Sequence, residues 1–208
     1  MKFIEIDEVI GVADEIGLLS NKMRCLNKIG SHPLHATLLQ LSLLLNNKIK
    51  WALCGGLAVG LHAKPRGTQD VDILLESDAA IDEVVKLTQS SFRHTRAHAL
   101  VHKQIGTEVD LVTPEFIKVD SPIISAVINA ALVVSFDSTT IPVVNSDGLV
   151  ALKLGRGSLQ DVADIEAIIK NNNIDLSQYN LGTKEKNLFE DIKKKVTEKV
   201  DIKEEELS

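Results

Sequence analysis

Apolar and polar positions follow two different periods along this chain, which predicts a mixture of helices and strands. Apolar residues recur every three to four positions within residues 4–19 and 33–46, as in a helix that packs one face on a core. Beyond residue 50, short apolar runs separated by polar turns alternate with further helical segments. We therefore expect an α+β protein in which a mixed β-sheet is flanked by helices.

The region between residues 50 and 170 carries all of the predicted strands. These cover residues 50–54, 69–75, 92–97, 100–105 and 107–113, and a hairpin of 132–136 and 140–144 that turns over Asp137-Ser138. The predicted helices of this region cover residues 56–63, 123–131, 146–154 and 159–170, with a further turn around Ile117. One more helix ends at Gln89; we expect Ser77 or Asp78 to cap it, with Glu83 in its first turn.

The final segment of the chain changes in composition. From Thr183 onwards Lys and Glu dominate, yet four apolar residues recur at helical spacing: Phe189, Ile192, Val196 and Val200. This pattern predicts a surface helix with one apolar stripe. The last residues, KEEELS, are expected to form a solvated tail.

Three aspartates stand in predicted strands. Asp70 and Asp72 are two residues apart, so they point to the same face of their strand, and Asp110 lies between two apolar residues of another strand. Carboxylates held close together repel one another, and oxygen ligands of this kind suit a hard divalent cation such as Mg²⁺ or Mn²⁺. An Asp-x-Asp pair alone is more often a solvated strand end. The metal-site prediction therefore depends on all three acids together.

A Gly-Gly pair precedes the predicted helix over residues 56–63. Gly55 and Gly56 have no Cβ, so a turn at this point presents bare backbone N–H groups to a phosphate at the start of a helix. Gly-Gly alone is also a common turn. Next to a pair of carboxylates, the Gly-Gly turn indicates chemistry on a nucleoside triphosphate.

Together these residues resemble the nucleotidyltransferase superfamily related to DNA polymerase β, and within it the small bacterial enzymes of the abortive-infection toxin type. The family pattern reads here as the strand over residues 51–54, Gly55-Gly56, Arg66-Gly67-Thr68, Asp70-Val71-Asp72 and later Asp110. Residues 146–168 are similar to the family's helical segment with Lys, Arg and a paired Asp-x-x-Asp, although Gln160-Asp161 stands where such enzymes often have Lys-Asp. The resemblance spans roughly residues 50–170.

The resemblance implies a metal-dependent enzyme that moves a nucleoside monophosphate from an NTP to an acceptor hydroxyl. It implies that Asp70, Asp72 and Asp110 are the catalytic and metal-binding residues. The residues implied to bind the nucleotide are Gly55, Gly56, Arg66, Thr68, Lys153 and Arg156. The acceptor stays open between RNA, protein and a small molecule, and an antitoxin partner is a further expectation. The nucleotidyltransferase core is expected over residues 48–145, between helical segments over 1–47 and 146–208.

Two pairs of charged residues, which follow the expected core in sequence, have alternative interpretations. Lys153 and Arg156 are three residues apart, so they share a helix face that either reaches the triphosphate or is simply a solvated cationic surface. Asp161 and Asp164 have the same spacing, and we expect them to orient Arg156 or to cap structure rather than to bind metal.

Composition restricts the classes of function. The chain has 208 residues, 44% of them hydrophobic, so it can bury a substantial core as one compact unit. A net charge of −6 excludes a global basic field for nucleic acid, and 3% aromatic residues argue against extended base-stacking surfaces. Cys25 and Cys54 are too few for a disulfide framework. The acidic start MKFIEIDEV does not resemble a signal peptide and the longest apolar run, over residues 38–45, is short for a membrane span, so we expect a cytoplasmic protein without a membrane partner.

Three histidines remain unassigned. His94, His98 and His102 are evenly spaced, which suits a zinc site, but no cysteine or carboxylate supports them, and surface positions are the preferred interpretation. With Arg93, Arg96 and Lys103 nearby, a local basic patch for an anionic acceptor is a further option. Two further classes of function stay open: a catalytically silent nucleotide-binding regulator, and an interaction domain of a toxin–antitoxin pair.

Overall fold

A computed structural model describes residues 32–206 of the chain, with side chains described as far as residue 198. The strands are β1 (Trp51–Leu53), β2 (Asp70–Leu75), β3 (Phe92–Arg96), β4 (Ala99–His102), β5 (Glu108–Val112), β6 (Leu132–Phe136) and β7 (Thr139–Val143). The helices are α1 (Pro33–Leu45), α2 (Gly55–His62), α3 (Ala79–Thr88), α4 (Pro114–Ile117), α5 (Ser121–Asn129), α6 (Ser146–Arg156), α7 (Leu159–Ile169) and α8 (Thr183–Glu206).

The strands form one mixed sheet with the order β3-β4-β5-β2-β1-β7-β6. Its centre is β2, which pairs with β5 in parallel and with β1 antiparallel. Hairpins close both sides, because β3 pairs antiparallel with β4 and β6 with β7. The two strands that carry the three aspartates are therefore direct neighbours in the middle of the sheet.

The central strands are rich in apolar residues because the core covers both of their faces. Val71, Ile73, Leu74 and Leu75 of β2 are all fully buried, so both faces of this strand are covered. Helices α1 and α3 pack together, and α1 also contacts β2 and β7. A second group of helices, α2, α5, α7 and α8, packs around α6. Only the positions of Asp70 and Asp72 interrupt this burial, and both are half-buried.

Within residues 32–206 the predicted elements are present, with differences at their ends. The predicted cap of α3 is wrong in detail: Asp78 is the N-cap residue, but its side chain makes no capping bond and instead accepts a hydrogen bond from the hydroxyl of Thr113. The first-turn acid of α3 is Asp82 rather than Glu83. Interactions between β5 and α3 compete here with local capping, which sequence spacing does not reveal.

The terminal predictions are tested only in part. The helix predicted over residues 4–19 lies outside the described residues, as does Cys25. At the other end, α8 buries Phe189, Ile192 and Val196 against α6 and α7, as the apolar stripe predicted. The side chain of Val200 is outside the description, and α8 continues to Glu206, into the segment expected to be a tail.

Within residues 32–206, no helix combines the length and the apolar character that a bilayer crossing requires.

Candidate active site

The pairing of β2 with β5 brings the three aspartates together. In the parallel register Asp72 lies opposite Asp110, and Asp70 lies opposite Glu108. Alternation along each strand puts Asp70, Asp72 and Asp110 on one face, while Val71, Ile73 and Leu111 are buried on the other. The structure therefore gathers, from two strands, the carboxylates that the sequence singled out.

The surroundings of Asp72 disfavour its ionised form. Burial is the largest cause, and the neighbouring carboxylates of Asp70 and Asp110 add to it, so the pKa of Asp72 is raised to about 7. A hydrogen bond from the backbone N–H of Gly56 and the charge of Lys153 lower this pKa in part. Burial, followed by the charge of Asp70, also raises the pKa of Asp110. This cluster of acids has an excess of negative charge that a cation would relieve.

Gly55 is required by the position of Asp72. Its φ is +61°, a conformation that residues with a Cβ rarely adopt, and a Cβ built on it would lie 1.7 Å from the Asp72 carboxylate oxygen. The carboxylate therefore occupies the space directly over the start of α2. The backbone N–H of Gly56, which bonds to this carboxylate, is one of the donors that a helix N-terminus leaves without an intrahelical partner.

The turn before β2 packs closely on the same helix. A Cβ on Gly56 would lie 2.8 Å from the hydroxyl oxygen and 2.9 Å from the Cβ of Thr68. The Thr68 hydroxyl donates a 2.8 Å hydrogen bond to the Asp70 carboxylate and so orients it. Both glycines of the pair thus have a packing reason for their identity: Gly55 accommodates Asp72, and Gly56 accommodates Thr68.

A network of ion pairs lies behind the acids. Asp164 accepts two hydrogen bonds from Arg66, at 2.8 and 3.0 Å, and one from the ammonium of Lys153 at 2.7 Å. Lys153 also donates to Asp161 at 3.1 Å, and Arg156 lies 3.2 Å from the other oxygen of Asp161. Three cations thus share two carboxylates, which leaves the network with a formal charge of +1 next to the acidic cluster.

Burial separates the members of this network. The side chain of Lys153 is 10% exposed, whereas that of Arg66 is 34% and that of Arg156 is 48% exposed. Burial would raise the pKa of Asp164, but the bonds from Arg66 and Lys153 outweigh it and hold that pKa below its usual value. Lys153 is therefore a structural centre of the network, and Arg156 is the cation that is most open to solvent.

Asp161 has the orienting role that its spacing predicted. Its carboxylate bonds to the hydroxyl and the backbone N–H of Ser158, which forms a capping box at the start of α7, and it pairs with Arg156. Gln160 stands where the sequence pattern often has Lys. Its side-chain amide donates a 3.0 Å hydrogen bond to Asp164 and so joins the same network. Ser158 and Gln160 were not among the predicted site residues, although the Ser-x-x-Asp spacing of a capping box could have indicated Ser158.

A narrow cavity of about 30 Å³ connects the acids with the network. Its lining includes Asp72, Gly55, Cys54, Lys153 and Arg156, together with apolar side chains of α4 and α6. Cys54 is buried, and burial followed by the charge of Asp72 raises the pKa of its thiol well above the usual value. Its surroundings therefore disfavour the thiolate, which is the form that nucleophilic attack requires. The cavity has room for only one or two water-sized groups, so any larger ligand would have to lie over its opening.

No three His, Cys, Asp or Glu side chains within the described region form a ready-made metal cage. The acids of the site are directed to different partners instead: Asp70 to Thr68, and Asp72 to Gly56. The donor set nevertheless fits a hard cation, since it consists of carboxylate oxygens, and burial followed by the repulsion between them raises the pKa values of Asp72 and Asp110.

The three histidines do not form one site. His102 is buried, contrary to the predicted surface position, because its ring packs edge-on against Phe92 and its Nδ1 lies 3.3 Å from the backbone N–H groups of Gln104 and Ile105. His94 is exposed on β3. His98 is half-buried and stacks on Phe116. In the candidate basic patch, Arg96 forms an ion pair with Glu108.

Comparison with known proteins supports the fold. No protein-family model matches this sequence, and no curated protein matches it. The structure is similar to the crystal structure of an antigenic nucleotidyltransferase-like protein from Paracoccidioides brasiliensis, with a TM-score of 0.56 and 16% sequence identity. The alignment covers 79% of this chain and 89% of that one. At this identity the likeness concerns the fold, and the chain has a nucleotidyltransferase-like α+β fold.

Proposed function

We propose that this protein is a metal-dependent nucleotidyltransferase, which transfers a nucleoside monophosphate from an NTP to an acceptor hydroxyl. The observation that carries the proposal is the register of β2 and β5, which puts Asp72 opposite Asp110 with Asp70 on the same face. Carboxylates crowded in this way, next to a helix N-terminus, are suited to a cation and a phosphate group together. The nucleotidyltransferase-like fold of the structural neighbour supports the same class of reaction.

In this proposal Asp70, Asp72 and Asp110 would hold Mg²⁺ or Mn²⁺. The bound ion supplies charge neutralisation at the phosphate oxygens, which the carboxylates alone would repel. The chain contributes the orientation of its own ligands: Thr68 holds Asp70, and the backbone N–H of Gly56 holds Asp72. Neutralising one acid should therefore weaken the site without disturbing these supports.

The nucleotide would lie over the start of α2. The N–H of Gly56 is committed to Asp72, so the start of α2 would attract the terminal phosphates through its dipole and its other first-turn backbone N–H groups. Arg156, the most exposed cation of the network, and Arg66 lie at the edge of the same region and would contact phosphate oxygens. Lys153 would act through Asp161 and Asp164, because its ammonium is already committed to both.

Asp110 is the proposed base. Its carboxylate lies opposite Asp72 in the register, on the same face as the other two acids, where it would accept a proton from an acceptor hydroxyl held at the site. The acceptor hydroxyl gives its proton to Asp110, its oxygen forms a bond to the α-phosphorus, and the bond from that phosphorus to the pyrophosphate oxygen breaks. Pyrophosphate leaves with the electron pair of that bond, and the exposed Arg156 stabilises its charge.

The test is to incubate the full chain with Mg²⁺ and each NTP, labelled on either the α- or the γ-phosphate, together with RNA, protein and small-molecule acceptors. We expect label from the α-phosphate to become attached to an acceptor and label from the γ-phosphate to appear in pyrophosphate. Asp72→Asn and Asp110→Asn should abolish the transfer, while Asp82→Asn, an exposed aspartate on α3, should not change it. Binding of NTP without transfer to any acceptor class would favour the silent regulator instead.

A role in a toxin–antitoxin pair, and the abortive-infection type in particular, rests on the sequence resemblance alone. It stays a prediction that the identity of the acceptor would test.

A further inference from the structure

The segment between α2 and β2 has no regular structure. Residues 63–69 connect His62, the last residue of α2, with Asp70, the first residue of β2 and one of the three acids. Within the part of the chain that the structure describes, residues 64–68 make no backbone–backbone hydrogen bond. The placement of this segment therefore depends on the contacts of its side chains.

Arg66 ties the segment to α7. Its Nε and Nη2 donate to the two carboxylate oxygens of Asp164, at 2.8 and 3.0 Å, and its Nη1 donates to the carbonyl oxygen of Gly67 at 3.2 Å. The Asp164 side chain is 3% exposed and also accepts bonds from Lys153 and Gln160, so it is a fixed anchor. Two parallel bonds to one carboxylate fix the direction of a guanidinium as well as its position.

Thr68 connects this ion pair to the acids. It lies two residues after Arg66, is 8% exposed and donates a 2.8 Å hydrogen bond from its hydroxyl to Asp70. Its side chain packs on the start of α2, where a Cβ on Gly56 would lie 2.9 Å from the Cβ of Thr68. If the segment moved, the donor that orients Asp70 would move with it. The contacts thus lead from Asp164 through Arg66 and Thr68 to Asp70.

We propose that Arg66, held by Asp164, is a positioning residue for the cation of the site. It keeps Thr68 in place, and Thr68 keeps the Asp70 carboxylate directed at the ion. The inference rests on the proposed function and extends it, because it gives Arg66 a role before any nucleotide is bound. Groups that orient a metal ligand from behind typically change metal affinity by about ten- to a hundredfold when they are removed.

The affinity of the full chain for Mn²⁺ without nucleotide tests this role, and the electron paramagnetic resonance signal of the free ion measures it. Arg66→Met keeps an apolar stem but has neither charge nor donors. Loss of positioning should weaken Mn²⁺ binding about tenfold. Loss of the positive charge alone would instead strengthen it, since a cation beside the site is removed. Loss of a phosphate contact alone would leave it unchanged.

Thr68→Val examines the next step, because it removes the hydroxyl at nearly constant shape. It should also weaken Mn²⁺ binding about tenfold, and the double variant with Arg66→Met should bind no more weakly than Thr68→Val alone, since both act through one hydrogen bond. Glu76→Gln, which breaks an exposed ion pair with Lys50 just beyond the other end of β2, is the matched control and should not change the affinity.

Two further variants complete the experiment. Asp72→Asn defines the share of Mn²⁺ that binds at the carboxylates. Arg66→Lys keeps the charge but cannot reproduce two parallel bonds to Asp164, so it should also weaken binding. It provides the same test if circular dichroism shows that Arg66→Met does not fold.

The inference fails if folded Arg66→Met, or Arg66→Lys in its place, binds Mn²⁺ as tightly as the parent or more tightly. It also fails if the losses of Arg66→Met and Thr68→Val add in the double variant. In both cases the proposed function stands, provided that Asp72→Asn weakens Mn²⁺ binding. If Asp72→Asn binds Mn²⁺ as the parent does, the carboxylates do not hold the ion, and the proposed function fails together with this inference.

Discussion

At the scale of single residues, two aspartates of this site have opposite surroundings. Loss of solvent around the half-buried Asp72, together with the charges of Asp70 and Asp110, raises its pKa to about 7, whereas the bonds from Arg66 and Lys153 hold the pKa of Asp164 below its usual value. The ionised form is thus disfavoured at Asp72 and favoured at Asp164. The same substitution to asparagine should consequently change stability in opposite directions at the two positions.

Asp72→Asn should stabilise the metal-free protein and reduce its pH dependence. Between the ordinary carboxyl pKa of 3.8 and about 7, the folded chain keeps a proton on Asp72 that the unfolded chain has released. Stability of the parent therefore falls as pH rises through this window, by at most about 1.4 kcal/mol per pH unit. Melting curves of both proteins without metal should show a gap that favours the variant, widens from about pH 4 to about pH 7 and then levels off. A variant that melts below the parent throughout would contradict the crowded-acid account.

Asp164→Asn should instead destabilise the protein at neutral pH. The substitution leaves the buried Lys153 with only Asp161 as a charged partner and removes the bidentate partner of Arg66. We expect a loss of about 2–4 kcal/mol, since breaking a buried ion pair leaves an uncompensated charge. Urea unfolding measures this loss, with the exposed Asp82→Asn as control. An unfolding free energy within about 0.5 kcal/mol of the parent would show that the network contributes little.

The sequence could predict the acids of the site but not their partners. The three aspartates interrupt apolar strand patterns, so their residue types and spacing were enough to single them out. Arg66 and Asp164, in contrast, are 98 residues apart, and nothing in their local patterns pairs them. The commitment of Lys153 to Asp161 and Asp164 was missed for the same reason, because side-chain partners depend on how separate helices pack.

At the scale of elements, the Gly-Gly turn has a function that local sequence did not reveal. Two glycines at a helix start predicted an open approach for phosphate. In the structure their missing Cβ atoms make room for other parts of the chain, the Asp72 carboxylate and Thr68. The turn is thus a close contact between α2, β2 and the segment that precedes β2. The phosphate contact proposed for this turn would be made from the same position.

Gly55→Ala should be considerably more destabilising than Gly106→Ala. Both glycines have positive φ, +61° and +83°, but a Cβ on Gly106 would meet nothing within 4 Å, whereas one on Gly55 overlaps Asp72. The backbone conformation alone should cost about 1 kcal/mol at either position. The additional loss at Gly55 should shrink when Asp72→Ala is combined with it, with a coupling of about 1–3 kcal/mol in a double-mutant cycle. Equal losses at the two glycines would show that the overlap relaxes freely.

The apolar stripe of α8 was predictable, because one helix face is read from sequence spacing alone. Ile192 is 1% exposed within this stripe, and Lys193 is exposed. Ile192→Ala should therefore lower the unfolding free energy by about 2–4 kcal/mol through lost burial and a cavity, and Lys193→Ala should leave it nearly unchanged. Urea titration of both variants provides the comparison. Similar values for the two would mean that α8 contributes little to the fold.

At the scale of the whole molecule, strand order assembles the site from distant segments. The acids come from β2 and β5, the Gly-Gly turn from the start of α2, and the cations from the turn before β2 and from α6. Alternating periods predicted the α+β class and nearly every described element. The parallel register of β2 and β5 did not follow from the pattern, since pairing between strands more than 30 residues apart depends on the packing of everything between them.

The three carboxylates and the start of α2 are proposed to form one site for a metal ion and a triphosphate. The most direct test of this proposal is the free energy of unfolding of the parent with Mg²⁺ alone, with each NTP alone, and with both. At about one hundred times the dissociation constant, the pair should add about 2.7 kcal/mol, and either ligand alone much less. Asp72→Asn should lose this increment, and Asp82→Asn should retain it. No increase with any of the four NTPs at millimolar Mg²⁺ would contradict the proposal.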